Sequence, residues 1–125
     1  MEGGSGVEEF EVVFYTLENG TKPAKEFIQG LDVKMRAKML RTVELLAHNG
    51  LELREPHSKP LGDGIFELRA KVGSDISRVL YFFVVGRRIV LTNGFIKKTQ
   101  KTPSSEIKRA KEYRADYLSR EENVK

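Results

Sequence analysis

The sequence predicts an α+β fold in the order β-α-α-β-β-β-α, and three observations carry that prediction. Three β-type runs, residues 65–72, 76–85 and 89–95, are separated only by Gly73-Ser74-Asp75 and by Gly86-Arg87. Connections that short join antiparallel neighbours, so these runs form a meander. Upstream, Met35, Met39, Val43 and Leu46 recur at helical spacing, and downstream Ile107, Ala110, Tyr113, Tyr117 and Leu118 do the same. Each set marks one apolar helix face. The expected architecture is a compact, mostly antiparallel sheet with the helices packed on one face.

The elements follow in chain order. Residues 9–15 alternate and then turn continuously apolar, as a strand with one buried face does. Asn19-Gly20 marks a turn. Thr21-Lys22-Pro23 opens a short helix that ends near Gly30. Asp32 is placed to cap a second, longer helix, which Gly50 stops. A loop containing Pro56 and Pro60 leads to Gly62-Asp63-Gly64 and the meander. Thr102-Pro103-Ser104-Ser105-Glu106 starts the last helix, and residues 121–125 are expected to fray. Residues 1–6 read as a flexible leader or an expression scar, leaving one domain over residues 7–120.

Composition narrows the function. The 125 residues are 39% hydrophobic and 32% charged, enough apolar surface for a packed core. The longest apolar run, residues 79–85, has seven residues, against about 20 for a membrane-spanning helix. There is no cysteine, which excludes disulfides, thiol nucleophiles and Cys-ligated metals. The N-terminus lacks the basic and apolar pattern of a secretory signal, so a cytoplasmic setting is expected. The formal charge of +4 is uneven: residues 1–53 carry −3, residues 54–101 carry +6 and residues 102–125 carry +1. A basic meander suggests a polyanion or an acidic partner.

Most familiar chemistries are missing. No phosphate-binding loop, dinucleotide fingerprint or nucleophile elbow is present. His48 and His57 are the only histidines, and Asp63, Glu67 and Asp75 are scattered among the meander and its turns. Neither a metal site nor a cofactor is therefore expected. What remains is a set of cations. Glu67, Arg69 and Lys71 alternate with Phe66, Leu68 and Ala70, so only the second set is expected to be core. Arg78 interrupts an apolar strand, where a charge must be exposed, paired or functional. Arg69, Arg78 and the cluster Lys97, Lys98 and Lys101 can converge on one sheet face, with His57 in reach. A purely structural account uses the same residues: Arg69 pairs with Glu67 or a helix carboxylate, and the lysines keep a sheet edge soluble.

The run from Pro60 to Arg69, then Arg78-Val79-Leu80-Tyr81-Phe82, then the run from Leu91 to Pro103 that includes Gly94-Phe95-Ile96-Lys97-Lys98-Thr99-Gln100-Lys101, resemble a known group. They resemble the HigB-like, phage-derived branch of the RelE/ParE toxin superfamily of type II toxin–antitoxin systems. The resemblance spans about Phe10 to Leu118 and includes the element order of a RelE-like domain. It implies a ribosome-dependent mRNA endoribonuclease that inhibits translation by metal-independent cleavage. In this chemistry the 2′-hydroxyl attacks the adjacent phosphate and cations stabilise the developing charge. By position, the resemblance implies catalytic roles for Arg69, Arg78, Lys97 and Lys98, with Lys71, Lys101, His57 and Arg54 as RNA contacts. It also implies a helix-turn-helix antitoxin, the ribosome and mRNA as partners, and operator DNA only through the antitoxin complex. Alternatives within the superfamily are a gyrase inhibitor and a catalytically silent protein acting at operator DNA. One departure leaves the general base open among His57, a lysine of depressed pKa, and none. Many members carry a late tyrosine or histidine, whereas here no aromatic or histidine follows Phe95 until Tyr113.

Overall fold

The computed structural model describes residues 9–96 and 101–124. Its elements are β1 (Glu11–Phe14), α1 (Pro23–Gln29), α2 (Val33–Asn49), a 3-10 turn (Gly50–Glu52), β2 (Ser58–Gly62), β3 (Ile65–Val72), β4 (Asp75–Val84), β5 (Arg88–Ile96) and α3 (Ser104–Val124). The five strands form one sheet in the order β1-β5-β4-β3-β2. β2 to β5 are antiparallel to their neighbours, and β1 runs parallel to β5 with Val12 opposite Ile89.

Local signals place the helices. Pro23 opens α1, where its missing N–H costs nothing. The Asp32 carboxylate accepts a 2.9 Å bond from the Met35 N–H and caps α2. At the other end Gly50 takes a positive φ of 52° and donates its N–H to the Leu46 carbonyl. Met35, Met39 and Leu46 are buried as the stripe requires, with Val43 packed beside them.

Two expectations are corrected here. The helices do not share one face: α1 and α2 cover one side of the sheet and α3 covers the other. Val79, Tyr81 and Phe83 of β4 join the cluster under α1 and α2, while Leu80, Phe82 and Val84 join Ala110, Tyr113 and Tyr117 of α3. An unbroken apolar run in a strand signals burial on both faces, and β4 is such a run from Val79 to Val84. The segment around Pro60 is also not loop but an edge strand, β2, paired to β3 with a register shift between Pro60 and Gly62. An edge position tolerates proline because one side of the strand needs no ladder bonds.

A β-bulge decides which β5 side chains reach α3. Val79 pairs with Gly94 and Tyr81 with Leu91, so Thr92 and Asn93 together face Leu80. The Thr92 hydroxyl donates to the Leu80 carbonyl at 3.1 Å. Past the bulge, Asn93 and Phe95 lie on the α3 side and Gly94 turns toward Phe27 of α1.

α3 is fastened along its length. Lys111 reaches Asp63 at 2.6 Å, and that contact holds the Asp63 carboxyl below its usual range. The Tyr15 hydroxyl donates to Asp116 at 2.6 Å, and Arg88 of β5 contacts Glu121 at 3.1 Å. The helix continues through Glu121 to Val124.

A methyl group at Gly94 would overlap the Phe27 ring. Gly94→Ala is therefore expected to destabilise the fold by about 1–3 kcal/mol, read as a lower urea midpoint at unchanged slope. Burial, then the bond to Asp116, pushes the Tyr15 phenol up to about 12. Burial likewise pushes Tyr81 up to about 12, against an opposing bond from Ser58. Both phenols are neutral in the folded state where the unfolded chain already ionises, near pH 10. Their contribution is complete below that pH and is lost as pH rises through about 12. Urea midpoints should fall between about pH 10 and 12, and Tyr15→Phe should flatten part of that fall.

Candidate functional site, a cationic row on the α3 face of the sheet

The meander fixes where its cations stand. Arg69 of β3 lies directly opposite Arg78 of β4, and Arg78 lies opposite Phe95 of β5. On the other side the Arg69 N–H donates to the His57 carbonyl at 2.9 Å, extending the β2–β3 register by one pair. His57, Arg69 and Arg78 thus occupy one row across three neighbouring chain segments, on the face that α3 covers.

Two guanidiniums placed opposite each other repel, and Glu67 resolves the repulsion. Its Oε2 lies 2.6 Å from Arg69 Nε and 3.2 Å from Arg78 Nε. Its Oε1 accepts from the Thr102 hydroxyl, at the entrance to α3. Glu67 is fully buried and Arg78 has a side-chain exposure of 2%, whereas Arg69 retains 21%. This corrects the expectation that only the Phe66, Leu68 and Ala70 face of β3 is core. The opposite face buries Glu67 as well as Ile65, because α3 and the chain leading into it pack there.

The other expected site residues are distributed around this row. Lys71 is exposed on β3, one alternation beyond Arg69. Lys101 is exposed and immediately precedes Thr102. Arg54 is exposed in the turn before β2, where its carbonyl accepts from the His57 and Ser58 N–H groups. Lys97 and Lys98 lie outside the described residues. Among the described residues, no group of three or more His, Asp or Glu side chains is placed to hold a metal ion.

Two side chains were not singled out from the sequence. Thr102 reads as a helix cap because Pro103 follows it, yet its hydroxyl goes to Glu67 across 35 positions of sequence. Asn93 reads as an ordinary strand residue, yet its amide donates to the Glu106 carboxylate at 2.9 Å and to the Glu106 carbonyl at 3.3 Å. Those bonds set the first turn of α3 level with the bulge. A polar residue inside a buried strand was the available signal for Asn93. Thr102 carried none.

Residues 26–115, which contain the whole row and its supports, match the phage-derived Gp49-like protein family (DUF891). The chain belongs to this family. Gp49-like proteins are associated with RelE/HigB-type toxins, which suggests an antitoxin partner. No curated protein matches the chain. No described helix is long and apolar enough to cross a membrane.

Removing the carboxylate from this site leaves two guanidiniums facing each other with most of their solvent gone. Glu67→Gln is expected to cost about 3–5 kcal/mol, the range for stripping one partner from a buried ion pair. Chemical denaturation checks it. A loss below about 1 kcal/mol, the level of an exposed pair, would show that Glu67 does not carry the site's charge balance.

Proposed function

We propose that this Gp49-like protein is the toxin of a type II toxin–antitoxin pair and cleaves mRNA on the ribosome without a metal ion. The observation that carries the reading is the row of His57, Arg69 and Arg78 on one face of the meander. It lies within the segment whose charge is +6. A planar guanidinium meets phosphate oxygens with a two-pronged donor edge. Arg69 is the member that combines a fixed position on a strand with exposure to solvent. Arg78 stands behind it, and Lys71, Lys101 and Arg54 supply longer-range attraction to the RNA backbone.

In the proposed reaction the 2′-oxygen of the nucleotide attacks its own 3′-phosphate. The bond to the departing 5′-oxygen breaks, leaving a 2′,3′-cyclic phosphate and a 5′-hydroxyl. The proton leaves the 2′-hydroxyl as the new P–O bond forms, and a proton is taken up by the departing oxygen. His57, whose carbonyl accepts from the Arg69 N–H, brings an imidazole into the row and is the group proposed to take the 2′-hydroxyl proton. Negative charge grows on the phosphate as the five-coordinate arrangement forms, and Arg69, with Lys97 and Lys98, stabilises it. The partners follow: ribosome, mRNA and a helix-turn-helix antitoxin in the cytoplasm, with operator DNA engaged only through the antitoxin complex.

Translating ribosomes loaded with a defined mRNA test this directly. Wild-type protein should cut the mRNA in the A site, and Arg69→Ala should lower the rate by about 10²–10³-fold while its urea midpoint falls only modestly. An intact mRNA together with inhibited gyrase supercoiling would replace this reading with that of a topoisomerase poison.

A further inference from the structure

The Glu67 carboxylate divides its two oxygens between different duties. One meets the Nε atoms of Arg69 and Arg78, and the other is held by the Thr102 hydroxyl. The geometry points to Glu67 and Thr102 as positioning residues that aim Arg69. Its functional consequence rests on the cleavage reading above, whereas the device itself rests on the contacts of Glu67 alone.

Arg69 is held by its inner edge. Its Nε is the atom that contacts Glu67, at 2.6 Å. Among the described residues its two terminal nitrogens make no hydrogen bond or ion pair. A guanidinium clamped at Nε presents its terminal nitrogens outward, and those are the donors a phosphate takes two at a time. Without the clamp, an arginine on a strand sweeps its charge through several rotamers and must be ordered by the substrate itself.

The clamp is only as fixed as its carboxylate, and Thr102 fixes it. Thr102 is buried and lies where the chain enters α3, next to the exposed Lys101. Its hydroxyl stops the carboxylate rotating about its terminal bond, so Oε2 stays on the side of the two arginines. Arg78, with 2% exposure, contacts the same Oε2 from behind. It contributes through Glu67 rather than by touching the RNA. Glu67 itself is sealed from solvent, so it orients the cation and does not act as the base.

Thr102→Val and Thr102→Ser separate this from a merely structural role, because valine keeps the branched shape and serine keeps the hydroxyl. The first readout is hydrogen exchange at the Arg69 Nε–H, followed by NMR on the whole protein. Valine should speed that exchange about tenfold or more and serine should restore it, since a charge-assisted bond slows exchange in proportion to its closed fraction. The second readout is ribosomal cleavage. Valine should lower kcat about tenfold with KM changed less than about threefold, and serine should recover the rate. A folded Thr102→Val protein with wild-type Nε–H exchange overturns the inference, as does full kcat despite faster exchange. Wild-type protein that cuts no mRNA removes the cleavage reading instead, and the exchange rates then decide whether the clamp exists.

Discussion

A carboxylate taken out of water costs several kcal/mol unless charge and hydrogen bonds replace its hydration. Glu67 meets that condition with two guanidiniums and a hydroxyl drawn from three parts of the chain. The dependence also runs the other way. β3 and β4 cannot hold Arg69 opposite Arg78 without a negative charge between them, and that pairing is dictated by the short turn at residues 73–74. The hairpin geometry creates a like-charge contact, and the carboxylate two residues before Arg69 relieves it. Thr102 then ties the start of α3 to the same carboxylate. One buried anion thus joins the meander to the helix on its far face.

The surrounding architecture explains why the anion must be so well satisfied. The sheet is sandwiched, with α1 and α2 on one side and α3 on the other. Water that would screen an exposed ion pair is excluded from the middle of either face. Arg78 and Glu67 sit where the sandwich is closed, and Arg69 sits at its margin. This gradient gives the two arginines different properties despite their direct pairing. The inner one is fixed and shielded. The outer one inherits that fixity through the shared carboxylate while still reaching solvent.

Much of this was legible in the sequence where physics is local. Asp32, Gly50 and the methionine stripe define α2 because capping and 3.6-residue periodicity act within a few residues. Arg69 and Arg78 fall on one sheet face because strand alternation and short turns leave little freedom of register. What was not legible depends on contacts remote in sequence. The parallel pairing of β1 with β5 joins residues 77 apart. Alternation told which β3 side chains share a face, but not that α3 would cover the polar one and bury Glu67. The continuous apolar stretch of β4 held that information, since a strand facing water on one side would have alternated. Pro60 misled for a related reason: it argues against a central strand, and β2 is an edge.

The bulge at Thr92 and Asn93 links these observations to the placement of the site. Without it, Phe95 would lie on the side of α1 and Gly94 on the side of α3, by the period of two along β5. The inserted residue reverses that assignment. It puts Phe95 beside Arg78 and brings Asn93 against the first turn of α3, where its amide meets Glu106. The helix therefore starts level with the bulge and runs from there over Ile65, Leu80, Phe82 and Val90 toward Tyr15. The cationic row lies near the helix entrance, where the Thr102 hydroxyl meets Glu67, and within it Arg69 keeps access to solvent while Arg78 does not. A single extra residue in β5 thus decides which of its side chains meet the start of α3 and which stands beside Arg78.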